Sequence, residues 1–194
     1  MRPKTSRSIA ADFKLTKAYR VYNAFSKIQN VRATNPLAIE YFSISPFQHG
    51  LGQNSQVVKY KVTPCKGVWF ESVDRANPNF LQHQLKNTLR ADDACFSFQV
   101  QKLPKYPYNR SPYKTQADKI KYATKKIENP TIPWHSPFKE FARIHIPAQD
   151  PVDDQTCDRS VINPWNTLPQ HQPLGGINRL RLAAYLFSIE MRNR

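Results

Sequence analysis

The sequence lacks the short motifs that mark most nucleotide, zinc and hydrolase sites. It contains no GxGxxG or GK[ST] loop, no HExxH and no GxSxG. It also has no apolar stretch long enough to cross a membrane, and its N-terminus, MRPKTSRSIAADFKLTK, lacks the apolar core of a secretory signal. These absences argue against a dinucleotide-binding fold, a zinc protease, an α/β-hydrolase, a membrane span and a secreted protein.

Cysteine is scarce as well. The three cysteines, Cys65, Cys95 and Cys157, are widely spaced and form no CxxC pair. An odd number without pairing indicates free thiols in a reducing compartment, with neither a zinc site nor a disulfide framework. Because the sequence shows neither a signal peptide nor a membrane span, we expect a cytoplasmic location.

Acidic residues are few, and the chain carries 29 Lys and Arg against 14 Asp and Glu, for a net charge of +15. Residues 102–126 concentrate this charge, with Asp118 as their one acid and four tyrosines interleaved (Tyr106, Tyr108, Tyr113 and Tyr122). Basic and aromatic side chains together can bind nucleic acid or another polyanion. The prolines in the same segment favour a solvated surface loop instead. Both interpretations stay open.

Hydrophobic periodicity predicts an α+β fold. A helix is expected over residues 8–30 and another over 79–94, where leucines recur every four residues. Residues 38–45 are predicted to be a strand or an extended lead-in. Alternation predicts strands in QVVKYKVTP, ACFSFQVQ and FARIHIPAQ, the last with Ala142, Ile144 and Ile146 on one face. So few strands cannot close a barrel, so we expect open sheet edges and self-association through them.

The C-terminal run INRLRLAAYLFSIEMRNR predicts a helix that is largely buried except for a narrow polar stripe. The stripe contains Asn178, Arg181, Tyr185, Ser188 and Arg192. It is either the solvated side of the helix or a site, in which Arg181 lies one turn from Tyr185. At about 4 Å and an effective dielectric near 20, a guanidinium attracts a phenolate by roughly 4 kcal/mol. Such a phenolate can be an axial ligand to haem iron.

The segment RLAAY resembles the proximal motif of haem catalases, an arginine, three residues and then the iron-ligating tyrosine. FARIHIPAQD followed by INPWNTLPQHQPLGGINR resembles small catalase-related proteins, as do NPLAIEYFSISPFQHG and VKYKVTPC. The similarity covers residues 35–192. It implies haem as cofactor, with Tyr185 as the iron ligand, Arg181 beside it, Ser188 on the same face, and Arg192 paired with a haem propionate.

The resemblance also implies an architecture and a function. The expected fold is a partial antiparallel catalase-like barrel with flanking helices, a single truncated domain over residues 1–194. Its parts are a helical lead-in (1–34), strands and helices with a basic insertion at 102–126 (35–147), a wrapping connection (148–176) and the proximal helix (177–194). The implied substrates are hydrogen peroxide or organic hydroperoxides.

The sequence departs from the catalase pattern on the distal side of the haem. The family's N-terminal half, which supplies the essential distal histidine, has no counterpart here. The five histidines (His49, His83, His135, His145 and His171) lie outside any distal-type segment, so we interpret them as structural or surface residues and assign no catalytic residue. We therefore expect weak haem binding and poor peroxide dismutation. Binding of nucleic acid or another polyanion is the alternative.

Overall fold

The structure is a computed structural model, which describes residues 33–65, 73–104, 115–151, 156 and 159–192. The helix predicted over residues 8–30 lies outside the described residues, and so do Cys157 and three of the four tyrosines of the basic segment. In the described part, no helix is long and apolar enough to cross a membrane.

Five antiparallel strands form one sheet. They are β1 (Tyr41–Phe42), β2 (Phe47–His49), β3 (Gln56–Pro64), β4 (Ala94–Lys102) and β5 (Phe138–Ile146). The order is β1-β3-β4-β5, and β2 pairs with β3 beside β1. The sheet is open, with β5 at one edge, and a register shift at Phe98 and Gln99 interrupts the β4–β5 ladder. The predicted α+β class is confirmed, and the strands of the described residues do not close into a barrel.

The hydrophobic core lies between the sheet and the helix α1 (Phe80–Ala91). Leu89 and Phe96 are buried together with Leu37, which precedes β1, and Leu85 and Ile146 pack against them. Leu85 and Leu89 belong to the predicted four-residue repeat, which places them on one face of α1. One end of the sheet face is therefore covered by α1, as the periodicity predicted.

The described part of the basic segment is a helix. Thr115 caps α2 (Gln116–Glu128): its hydroxyl accepts from the backbone N–H of Asp118, whose carboxylate accepts from the backbone N–H of Thr115. This capping box satisfies N–H groups that would otherwise lack partners at the first turn. Residues 116–126 are therefore helical, whereas a loop was predicted for the whole segment. The three prolines that suggested the loop all precede Thr115, so they do not interrupt the helix.

Two of the cysteines form a disulfide, so the prediction of free thiols is wrong for them. Cys65 follows β3 and Cys95 lies in β4, with Cα atoms 5.4 Å apart. The backbone N–H of Cys65 also donates to the carbonyl of Cys95 at 2.9 Å. Antiparallel pairing brings the two residues together across a sequence separation of 30 residues, which cysteine spacing alone does not reveal.

The chain after β5 contains a one-turn helix at Pro169–His171 and ends in the helix α3 (Gly176–Arg192). The C-terminal helix was predicted to be largely buried, and this is wrong. Its large apolar side chains are exposed: Leu180 is 74% accessible and Phe187 is 64% accessible. Asn178 is the buried residue of α3. Among the described residues, no element covers these side chains.

Candidate functional site

A pair of glycines sets the start of α3. Gly175 has a φ of +88°, which favours glycine, and a Cβ there would lie 3.0 Å from the carbonyl oxygen of Ile127. The N–H of Gly176 donates to the carboxylate of Glu128 at 2.7 Å. The glycines therefore let the chain pass closely over the end of α2 before it turns into the helix.

Arg181 and Tyr185 are in direct contact on α3. One guanidinium nitrogen, Nη2, donates to the phenol oxygen of Tyr185 at 3.0 Å, and the guanidinium carbon lies 5.4 Å from the centre of the tyrosine ring. Both side chains are half-buried. Because the donor is a cation, this hydrogen bond stabilises negative charge on the phenol oxygen.

Arg181 is held by two buried polar residues. Its Nη1 donates to the hydroxyl of Ser45 at 3.3 Å and to the amide oxygen of Asn178 at 3.4 Å. Ser45 in turn donates to the same amide oxygen at 2.6 Å. Ser45 is 2% exposed and Asn178 is 1% exposed, so this support is shielded from water.

Asn178 also fixes the backbone around it. Its amide nitrogen donates to the carbonyls of Pro46 and Leu174, at 2.9 and 2.8 Å. The indole N–H of Trp165 donates to the Asn178 carbonyl at 3.0 Å. Asn178 therefore joins α3 to the β1–β2 connection and to the segment before α3, and Arg181 is oriented by packed elements rather than by its own helix alone.

The other two predicted site residues lie further along α3 and are exposed. The Nε of Arg192 donates to the backbone carbonyl of Ser188 at 3.4 Å. Seven residues separate Tyr185 from Arg192, which corresponds to roughly 10 Å along the helix axis. The structure therefore brings Arg181 to Tyr185 but places Ser188 and Arg192 outside that contact.

A separate open cleft of about 710 Å³ lies over the other end of the sheet face. Its lining contains none of the four predicted site residues. It is formed by strands β2 to β5 and the segment before α3: Phe47, His49, Tyr60, Phe98, Phe141, Asn166, Thr167, Leu168 and His171.

Two of the histidines interpreted as structural or surface residues line this cleft. The rings of His49 and His171 lie 5.4 Å apart, and His171 Nδ1 is 3.3 Å from the hydroxyl of Tyr60. Burial lowers the pKa of His49, and the positive charges of His171 and Lys102 lower it further. Burial also raises the pKa of Tyr60, which keeps its hydroxyl neutral.

The remaining histidines lie outside the cleft. His145 contacts the carboxylate of Asp93 at 2.7 Å on the surface, while His83 and His135 are exposed. Within the described ranges, no cluster of three or more His, Cys, Asp or Glu side chains could hold a metal ion. This finding does not concern Tyr185, because tyrosine is not one of these four residue types.

Ser45 and Asn178 were missed as site residues. Asn178 belongs to the polar stripe of α3, and a polar residue in an otherwise apolar turn is a signal for a buried hydrogen bond. Ser45 lies 136 residues before Arg181, and no local pattern links them.

No family model and no curated protein matches the chain. Among solved structures, it is similar to catalase A from Saccharomyces cerevisiae, with a TM-score of 0.60 and 13% sequence identity. The similarity covers 81% of this chain and 32% of that one, so the chain spans about a third of the length of this catalase. At this identity the similarity concerns the fold. The chain therefore has a distant catalase-like fold, built on an open antiparallel sheet.

Proposed function

We propose that this chain is a haem-binding protein related to catalases, in which the phenol oxygen of Tyr185 would hold the haem iron. The observation that carries the proposal is the 3.0 Å hydrogen bond from Arg181 to that oxygen. An iron-bound tyrosine must act as an anion, and a guanidinium donor stabilises that form.

The residues around Tyr185 fit this role. The hydrogen bond from Arg181 uses one lone pair of the phenol oxygen and leaves another for a metal. Ser45 and Asn178 are buried, and their hydrogen bonds with Arg181 fix the orientation of its guanidinium group. Such outer partners orient a ligand and tune the metal it holds.

Haem, when bound, supplies the iron chemistry by which peroxides are reduced or dismutated. The chain's own residues would hold the group from one side: Tyr185 would provide the ligand, Arg181 would balance its charge, and the exposed Arg192 would be a cation for a propionate. Peroxide dismutation also needs a group that takes a proton from peroxide and returns it, usually a histidine. We propose that the described residues supply no such group beside Tyr185 and that the chain is a poor catalase by itself.

Titration with ferric haem, followed by the Soret absorbance, tests the proposal. The wild-type protein should bind haem, and Tyr185→Phe should weaken binding by at least about tenfold, equivalent to about 1.4 kcal/mol. Tyr41→Phe is the matched control, because Tyr41 is an exposed tyrosine whose hydroxyl donates to the carbonyl of Pro36.

Two results would contradict the proposal: no Soret band with the wild-type protein, or equal haem affinity in Tyr185→Phe and wild type. Oxygen evolution from peroxide, measured on the same haem-loaded sample, should be slow. Rapid evolution would contradict the view that the distal group is absent.

A further inference from the structure

The walls of the cleft are mainly aromatic. Tyr60 stacks on Phe98, with ring centres 5.2 Å apart, and its ring centre is 5.4 Å from that of Phe47. Phe141 lines the cleft from β5 and is 66% exposed. Rings arranged in this way offer faces and edges to another flat ring. The volume of about 710 Å³ also lies in the usual range for small-molecule sites.

The polar groups of the cleft include the histidine pair. His171 already has a partner in the hydroxyl of Tyr60. The Nδ1 atom of His49 is buried and has no hydrogen-bond partner among the described residues. The two imidazoles are therefore the polar groups of the cleft that we consider for ligand binding.

The charge of the cleft favours an anion. Among the described residues, none that lines the cleft is Asp or Glu, and the charged or titratable groups that act on His49 are His171 and Lys102. Tyr60 faces the same cleft but remains neutral, because its pKa is raised by burial. A carboxylate beside His49 would offset these positive charges and favour protonation of the imidazole.

We propose that this cleft binds a small aromatic carboxylate, with its ring system against Phe47, Phe98 and Phe141 and its carboxylate at His49 and His171. The site is distinct from Tyr185, which does not line the cleft. The proposal therefore does not depend on haem binding, and the two can fail separately.

The test uses 1-naphthoate as probe and its neutral isostere 1-naphthamide as comparison, with haem-free protein at pH 6.0 and near-physiological salt. Calorimetric titration should give one site, with naphthoate bound at least about tenfold more tightly than naphthamide. His49→Gln should weaken naphthoate binding by at least about tenfold. The same substitution at the exposed His83, on α1, should leave it unchanged.

A second variant keeps the test informative if His49→Gln does not fold. Leu168 lines the cleft yet is 64% exposed, so Leu168→Trp can occupy the cleft without disturbing the core. It should abolish naphthoate binding. Equal affinity for the two probes, or undiminished binding in Leu168→Trp, would overturn the proposal. Several weak sites that disappear at high salt would also overturn it, because they would indicate surface lysines and arginines.

Discussion

Asn178 is the residue on which the position of the candidate site depends most. It is almost completely buried, and its side chain bonds Ser45 and two backbone carbonyls from separate segments. Removing a buried amide with several partners lowers the free energy of unfolding strongly, because each partner then stays buried without its hydrogen bond. Arg181 takes its orientation from this group, and Tyr185 takes its hydrogen bond from Arg181.

Replacing Asn178 with leucine should therefore destabilise the protein strongly. Leucine has a similar volume but removes the amide donor of the Pro46 and Leu174 carbonyls and the acceptor of Ser45, while the Pro46 carbonyl keeps the backbone N–H of Leu174. We expect a loss of about 3 kcal/mol in the free energy of unfolding, measured by urea denaturation. Asn54→Leu, at an exposed position, should change it by less than about 0.5 kcal/mol. Equal stability of the Asn178 variant and wild type would contradict the described network.

His49 should make stability depend on pH near neutrality. Its pKa is lowered in the folded protein by burial and by His171 and Lys102, while the unfolded chain takes up the proton near pH 6.5. Between the lowered folded pKa and pH 6.5, the unfolded state therefore binds more protons than the folded state. The free energy of unfolding should decrease as the pH falls through this range. Urea denaturation between pH 7.5 and 5.5 should show this slope. His49→Gln should reduce the slope and His83→Gln should not; an unchanged slope in His49→Gln would refute this assignment.

At the level of single residues, spacing in the sequence predicted the side-chain contacts that form within one helix. Arg181 and Tyr185 meet because residues four apart share a helix face, so their contact could be read from the sequence. The partners of Arg181 could not be derived in this way. Ser45 reaches it from 136 residues away, and His49 meets His171 only through the folded chain.

Among the elements, alternation located the long strands well. QVVKYKVTP is β3 in full, because its alternating side chains suit a pleated strand. The exposure of α3 was not predictable from its own composition. An apolar helix becomes buried only if other elements cover it, and no described element covers Leu180 and Phe187.

The disulfide links Cys65, which follows β3, to Cys95 in β4, and it closes a loop that contains α1. Closing a loop of this length should stabilise the fold by roughly 3–4 kcal/mol through the entropy of the unfolded chain. Cys95→Ser, or reduction of the wild-type protein, should therefore lower the urea midpoint by a corresponding amount. If thiol titration of the denatured, unreduced protein found three free thiols, the disulfide would be refuted. The sequence separation of 30 residues gave no indication of this pairing.

At the scale of the whole molecule, the described residues combine an open sheet with Tyr185, which is hydrogen-bonded to Arg181. It spans 32% of the length of catalase A. Self-association through the sheet edges remains a proposal, and so does a cytoplasmic location. The nucleic-acid alternative rests on the net charge of +15 and on the basic segment, whose described part is a capped helix.

The most direct test of the central claim is resonance Raman spectroscopy of the protein loaded with ferric haem, excited in the phenolate-to-iron charge-transfer band. If Tyr185 holds the iron, the spectrum should contain vibrations of an iron-bound phenolate that shift when the protein contains ring-deuterated tyrosine and that are absent in Tyr185→Phe. Phenolate vibrations that persist in Tyr185→Phe, or a wild-type complex without them, would show that Tyr185 is not the ligand.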